Sequence, residues 1–526
     1  MFGWISTKLG SSGRVNEVER LKGSHQKQHG HRGNKEWVAP RLVARSDEAN
    51  REDQGNQIKA NEYLDEPEVL EAKINLMVEL LRQAKCCTAY TGAGLSRAAG
   101  IGDYASKAKD SIIKNTPKLD SPLDAQPTYA HRVITALERS GYLHNYVQQN
   151  HDGLPQKAGF PQEKINEIHG AWYDPSNPVV QFSESLRHDF FEWMLDIEQQ
   201  TDLCLCLGTS LSGMNADRVA KTPARKSLEG QALGTIIINL QETKLDDKTC
   251  IRIWAPLDDV FASVAEKLEL DLTPQPVALP PCKEKLKFVV PYNRQGAYDP
   301  TCKMIWNLNP GEPVICLNPN ASNYKAKGEV VGIRKDGNLN IGLGRTRHCF
   351  GVWWVTSAVQ GSWKFHLPFV NIDPVFLDEN DQPIVAAPKA TIQHECLEIA
   401  ENTYSWEVSL TANKPEVIKK VTWRLLSEAP SKVVCNAPPF AVPGSGSEEF
   451  PIKVTIYLTD SRKIRATHKL SFSSPSITSV KLKKNSFSYF NIFPFRFFFS
   501  DTFLSTPNIS QTHCSKNGKS PPIIVQ

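Results

Sequence analysis

Apolar residues recur every three or four positions at Leu70, Ile74, Met77 and Leu81, a spacing that predicts an amphipathic helix. The run CTAY at 87–90 then predicts a strand. Beyond it, helical stretches such as 128–140 alternate with short apolar runs: LHNYV at 143–147, LCLCL at 203–207 and TIIIN at 235–239. Strands without polar alternation are buried on both faces, which requires helices on either side of a parallel sheet. The fold class read for 63–272 is therefore α/β, a Rossmann-like doubly wound parallel sheet.

The period then changes. TPQPVALPPCKEK, 273–285, is too rich in proline for helix or central strand and reads as a linker. From 286 to 378, GEPVICLNPN, GEVVGIRKDGNLNIGLG and HCFGVWWVTSA give short strands between Gly, Asn and Pro turns, which predicts a small β-barrel. A second linker, 379–399, leads to alternating strands near 404–411, 418–426 and 451–458. Ile452, Val454, Ile456 and Leu458 share one face, and 400–474 is read as an immunoglobulin-like β-sandwich. The tail, 475–526, contains FSYFNIFPFRFFFS, aromatics with no partner strands that would form an exposed patch, and reads as a membrane-adjacent or docking segment or as a wrongly predicted gene end. At the other end, residues 1–46 hold nine Lys or Arg against three Glu, so 1–62 reads as a disordered basic arm.

Composition narrows the function classes. The 526 residues are 40% hydrophobic and 22% charged, and no apolar run is long enough to cross a bilayer. A net charge of +4 over that length is too dilute to attract nucleic acid or anionic lipid, so neither direct nucleic-acid binding nor membrane association is expected. Twelve cysteines without a C-x-x-C pair, and a start lacking an apolar signal, point to an intracellular protein of nucleus or cytoplasm.

Chemistry-bearing residues gather where strands end. TGAGLSRAAGIGDYAS, 91–106, follows the first strand, and Gly92 and Gly94 allow the tight turn and close backbone approach that a pyrophosphate needs at a helix start. A ligand-free turn has the same appearance, and Arg97 stands where a third glycine would. QQNHDGLPQKAG, 148–159, places Asn150 and Asp152 at the end of the next strand, where an Asx turn is the plainer reading. EIHG, 167–170, holds His169, a base near neutral pH or an ordinary core histidine. GTSL, 208–211, and INLQET, 238–243, end two further strands.

Taken in order, these segments and VVQFSE (179–184) resemble the sirtuin family over about 70–272. The resemblance implies an NAD-dependent protein-lysine deacylase that transfers the acyl group to ADP-ribose. It implies that Gly92, Ala93, Gly94 and Ser96 hold the pyrophosphate, with Tyr104 over the nicotinamide and Asp103 and Asp152 at its carboxamide. Gln149 and Asn150 would position the nicotinamide ribose, and His169 with Asn150 would carry catalysis. Gly208, Thr209, Ser210 and Asn239 would bind the adenosine side, with Val180, Phe182 and Glu184 lining the substrate cleft. Partners so implied are acylated proteins, histones among them.

Several positions depart from the family. Sirtuins carry a zinc ribbon of two C-x-x-C pairs after the catalytic histidine, but here the twelve residues GAWYDPSNPVVQ separate His169 from Phe182 without a cysteine. A tetrahedral thiolate site needs four ligands, so no zinc and no other metal is expected. Gly102, Tyr104 and Ala105 replace Pro, Phe and Arg, while His151, Pro155 and Ser183 are further changes. Two alternatives follow: an NAD hydrolase with water as acceptor, or a non-catalytic NAD or ADP-ribose binder.

Near the C-terminus, APPFAVPGSGSEEFPIKVTIYLTD and THKLSF resemble a YEATS domain, a reader of acylated lysine, over about 400–474. Gly446, Ser447 and Glu448 stand where that family places an aromatic residue, and stacking on an acyl amide needs the ring. The resemblance implies an acyl-lysine reader, and the missing ring turns the expectation to a plain immunoglobulin-like module that docks a protein partner.

Overall fold

The computed structural model describes residues 18–482, apart from 53, 54, 56, 104, 114, 115, 182, 183, 213, 276, 384–388, 428, 429, 460, 474 and 475. The chain divides into two units, Met1–Val385 and Ala386–Gln526. The aromatic run at 487–500 lies outside the described residues, as do Tyr104 and Phe182.

In the first unit six strands form one parallel sheet: β1 (Cys87–Thr91), β2 (Asn145–Gln148), β3 (Ile165–Glu167), β4 (Leu203–Leu207), β5 (Gly234–Ile238) and β6 (Ile251–Ile253). Their spatial order is β3-β2-β1-β4-β5-β6, every pair parallel. This is the doubly wound order expected of a Rossmann-like sheet, and it reverses direction between β1 and β4. Alternate residues of β4 serve two cores. Leu203, Leu205 and Leu207 pack with α1 (Pro67–Gln83), α2 (Tyr129–Arg139) and a third helix, Leu257–Lys267. Cys204 and Cys206 face His188–Gln200 and Arg218–Leu228 on the other side. Local signals agree with these bounds: Pro67 opens α1, and the Thr128 hydroxyl caps α2 by accepting from the His131 amide.

Residues 18–62 are not the disordered arm that composition suggests. Backbone amides of His31 and Arg32 donate to Thr249 and Cys250 beside β6, and the Trp254 indole donates to Gln28 at 2.7 Å. Arg41–Ala44 pairs with Glu62–Leu64, Leu21 and His29 are buried, and the Lys73 ammonium meets Asp65 at 2.6 Å with both side chains fully enclosed. Few apolar residues are needed because the arm docks through its backbone onto a strand edge already present.

The stretch 286–378 is not a separate module. It forms a three-stranded sheet, Val375–Phe376, Met304–Asn307 and Lys287–Val290, and a five-stranded antiparallel sheet running from Thr346–Phe350 to Val370–Asn371. Its tryptophans share one continuous core with His188–Gln200: the Phe190 and Trp363 rings lie 6.2 Å apart, edge to face. GVWWVTSA, read as strand, is instead the helix Val352–Gln360. Buried on nearly every side, that run carries no polar face to mark its period.

The second unit holds two four-stranded antiparallel sheets around one core that includes Trp423, Val408 and Ile456. Its longest strand, Lys389–Ala400, occupies residues assigned to the 379–399 linker, and Ile477–Lys481 adds a strand beyond 474. Ala390, Ile392 and His394 alternate inward, a period-two signal in a stretch whose flanking prolines read as linker.

Candidate functional site

The reversal between β1 and β4 brings two loops together at their carboxyl ends. The Gly92 amide donates to Leu207 and the Gly94 amide to Gly208, at 3.0 and 2.9 Å. Gly208 has φ +60°, and a Cβ there would stand 2.6 Å from the Gly94 carbonyl carbon and the Leu95 nitrogen. Gly94 is equally confined, 2.8 Å from Gly208. These glycines are therefore required by loop-on-loop packing, and the same packing leaves Ala93 and Gly94 half-exposed at the crevice.

Three sequence-singled residues meet beside that turn. The Asn150 amide donates to the Gly92 carbonyl at 3.0 Å and to the Ser96 hydroxyl at 3.1 Å, and Ser96 donates to the Asp152 carboxylate at 2.6 Å. Asp152 also accepts from the Leu154 amide at 2.9 Å. Burial raises its carboxyl above the usual range, while the Ser96 and Leu154 hydrogen bonds oppose that shift. Gln149 donates to the Thr209 hydroxyl at 2.9 Å, and Asn239 donates to the Thr209 carbonyl at 3.3 Å. Ser210 lies half-buried, its hydroxyl 2.7 Å from that of Ser212.

His169 follows β3. Burial and then neighbouring His151 lower its imidazole to about 4, against a backbone hydrogen bond at Gln149 that works the other way. At neutral pH the ring is uncharged, with one nitrogen engaged at Gln149. Asp103 behaves differently. Its carboxylate accepts from the amides of Ala105 and Ser106, the Ser106 hydroxyl and Arg97, so it holds its own loop together. Val180 bonds through its amide to the His169 carbonyl, and Glu184 closes a turn with Gln181.

Three features escaped the sequence reading. Arg252, between two isoleucines of β6, is fully buried; it pairs with Asp246 at 2.8 Å and donates to the carbonyls of Asn239 and Gln241, bracing the loop after β5. A lone arginine in an apolar strand is a signal that could have found it. The second is the short hairpin after His169. Ala171 bonds to Asn177, and Asp174 accepts from Ser176 at 2.8 and 2.7 Å while facing Arg187 at 3.6 Å.

The third is Glu167, whose carboxyl is pushed up to about 8, first by burial and then by Asp174. The folded protein thus favours the neutral acid over a range where the unfolded chain ionises it. Stability due to this group is complete below the ordinary value of 4.5 and is lost as pH rises to about 8. Glu167→Gln is therefore expected to flatten the fall of the thermal midpoint between those limits. Parallel pH curves for the two proteins would contradict it.

Comparison with known proteins finds likenesses in sequence. Residues 108–176, which carry Gln149, Asn150, Asp152 and His169, match the model described as the Sir2 family. That stretch is similar to the Sir2 family. The NAD-dependent protein deacetylase SRT1 of Arabidopsis thaliana is 29% identical over 259 residues, 41% of this chain and 54% of that protein. The NAD-dependent protein deacetylase sirtuin-7 of Homo sapiens is 26% identical over 280 residues, 44% of this chain and 68% of that protein. The chain thus spans about half the length of the plant deacetylase. A solved structure described as "Sir2-p53 peptide-NAD+" aligns with TM-score 0.32 at 22% identity, covering 37% of this chain and 98% of that one. Residues 401–474, in the second unit, match the YEATS family. The Sir2-like region and the YEATS region are thus carried on different units. Among the described residues no helix is long and apolar enough to cross a membrane.

Proposed function

We propose that the first unit is an NAD-dependent protein-lysine deacylase that passes the acyl group to ADP-ribose. The observation that carries this reading is the Asn150–Ser96–Asp152 hydrogen-bond array beside the Gly92–Gly94 turn, with an uncharged His169 at the end of the neighbouring strand. The residues fit the dinucleotide: half-exposed Ala93 and Gly94 offer backbone to a pyrophosphate, and Gln149, Asn150, Ser210 and Asn239 are reachable polar side chains on both sides of it. In this reading the acyl-lysine oxygen attacks the ribosyl carbon as the bond to nicotinamide breaks. His169 takes the proton of a ribose hydroxyl, whose oxygen bonds to the acyl carbon. With one water consumed, the products are free lysine, nicotinamide and O-acyl-ADP-ribose.

The reading includes acylated protein, histones among the candidates, as substrate, and a reaction without zinc, since the segment after His169 supplies no thiolates. The second unit, as an immunoglobulin-like sandwich, would dock a protein partner, in nucleus or cytoplasm. A hydrolase is the second reading, favoured by the brevity of the hairpin at 171–178, which leaves less chain to exclude water. Nicotinamide release measured with and without an acylated peptide, in excess chelator, separates the two. Release that depends on peptide and tolerates chelator is expected, from an extended peptide pairing along 179–184. Equal release without peptide would establish the hydrolase, and loss in chelator would refute the zinc-free site.

A further inference from the structure

The hairpin after His169 does not stand by itself. Its internal ties are turn hydrogen bonds, Ala171 to Asn177, Asn177 to Asp174 and Ser176 to the Asp174 carboxylate, and it contains no helix or strand of its own. Beside its ties to Glu167 and Arg187, it is held by residues about 150 to 180 positions later. The Asn323 amide donates to the Pro175 carbonyl at 2.7 Å, the Gly351 amide donates to the Tyr173 carbonyl at 3.2 Å, and the Trp353 ring lies 5.1 Å from that of Tyr173.

Trp353 touches a second segment of the site as well. Gly153, next in the chain to Asp152, has φ +65°, and a Cβ there would stand 2.9 Å from the Tyr173 ring and 3.3 Å from the indole of Trp353. One buried indole therefore packs against both the strand end that carries Asn150 and Asp152 and the hairpin that follows His169. The two segments are also tied to each other, Trp172 donating to the His151 carbonyl at 2.9 Å and the His151 ring meeting the Gly170 carbonyl at 2.9 Å. Gly170, with φ +90°, leaves no room for a side chain against Pro178, so the hairpin cannot slide relative to His169 without breaking these contacts.

We propose that Trp353 and Asn323 are positioning residues of the candidate site, through which the antiparallel sheets of 286–377 fix His169 relative to Asn150 and Asp152. Neither touches the reacting atoms. A shift of about 1 Å in a catalytic group is enough to cost on the order of 10²-fold in rate, so a wedge between its two supporting segments has leverage on turnover. The kinetic consequence rests on the deacylase reading; the placement of the imidazole does not.

The test uses the full chain with Trp353→Ala, Trp353→Phe and Asn323→Ala, read by nicotinamide release with acylated peptide and by the NMR titration of the His169 ring. Trp353→Ala is expected to lower kcat at least about 10-fold with the KM for NAD changed by less than about 3-fold. Trp353→Phe, which keeps a ring against Tyr173, is expected to recover most of the rate. In Trp353→Ala and Asn323→Ala the His169 midpoint should rise from about 4 toward the ordinary 6.5 as water reaches the loosened ring. A His169 midpoint unmoved in both variants would overturn the proposal, whether or not kcat fell. If the unaltered protein released no nicotinamide, the deacylase reading would fail, and the His169 titration would still decide the positioning role.

Discussion

His169→Ala is expected to slow acyl transfer by at least about 10²-fold while NAD affinity stays within a factor of a few, the contribution of a positioned general base. The argument is one of location. His169 supplies no hydrogen bond to the Asn150–Ser96–Asp152 array or to the Gly92–Gly94 turn and meets Gln149 only at its backbone, so the side chains assigned to NAD keep their partners without it. In the proposed reaction its uncharged ring enters only when the ribose hydroxyl must surrender a proton. Nicotinamide cleavage precedes that step, so exchange of free labelled nicotinamide into NAD should persist in the variant. Rapid-quench measurement of acyl-ADP-ribose alongside nicotinamide exchange checks both halves. An unaltered transfer rate would make the histidine structural and favour the binder.

Asp65→Ala should destabilise the first unit by about 3–5 kcal/mol, the cost of leaving one member of a buried ion pair uncompensated. Both side chains of the pair are fully enclosed, so solvent screening gives little relief. Burial already pulls the Lys73 ammonium down to about 8 and pushes the Asp65 carboxyl up; the 2.6 Å contact and the Trp254 amide, which donates to Asp65 at 2.9 Å, keep the charged pair together. Removing both charges with Asp65→Leu and Lys73→Met should restore most of the loss. Urea unfolding of the single and double variants measures this. A single variant within about 1 kcal/mol of the parent would show that water enters the site and solvates Lys73.

The parallel sheet was legible because LCLCL and TIIIN are apolar at every position, and only burial on both faces explains such a run. The site was legible for a related reason: strand ends in a doubly wound sheet converge, so polar clusters after successive strands become neighbours without further information. Asp103 shows where this fails, since a carboxylate with three local donors satisfies itself before it reaches a ligand. The arm at 18–62 was misread because composition counts side chains, whereas His31, Arg32 and Gln28 bind through backbone groups whose partners lie some 200 residues away. Helix Val352–Gln360 and strand Lys389–Ala400 were lost to context, one to burial that hides its period and the other to neighbouring prolines.

The docked arm has one more effect. β6 is the last strand of the parallel sheet, and its outer edge would otherwise present unpaired amides and carbonyls, the template on which a second chain can add itself. Residues 30–32 and 63–65 take up that edge at its two ends, through Thr249 and Cys250 on one side and Trp254 on the other. A start site moved past residue 33 would therefore uncover one end of that border, the end at Thr249 and Cys250, and leave it open to a strand from a second copy.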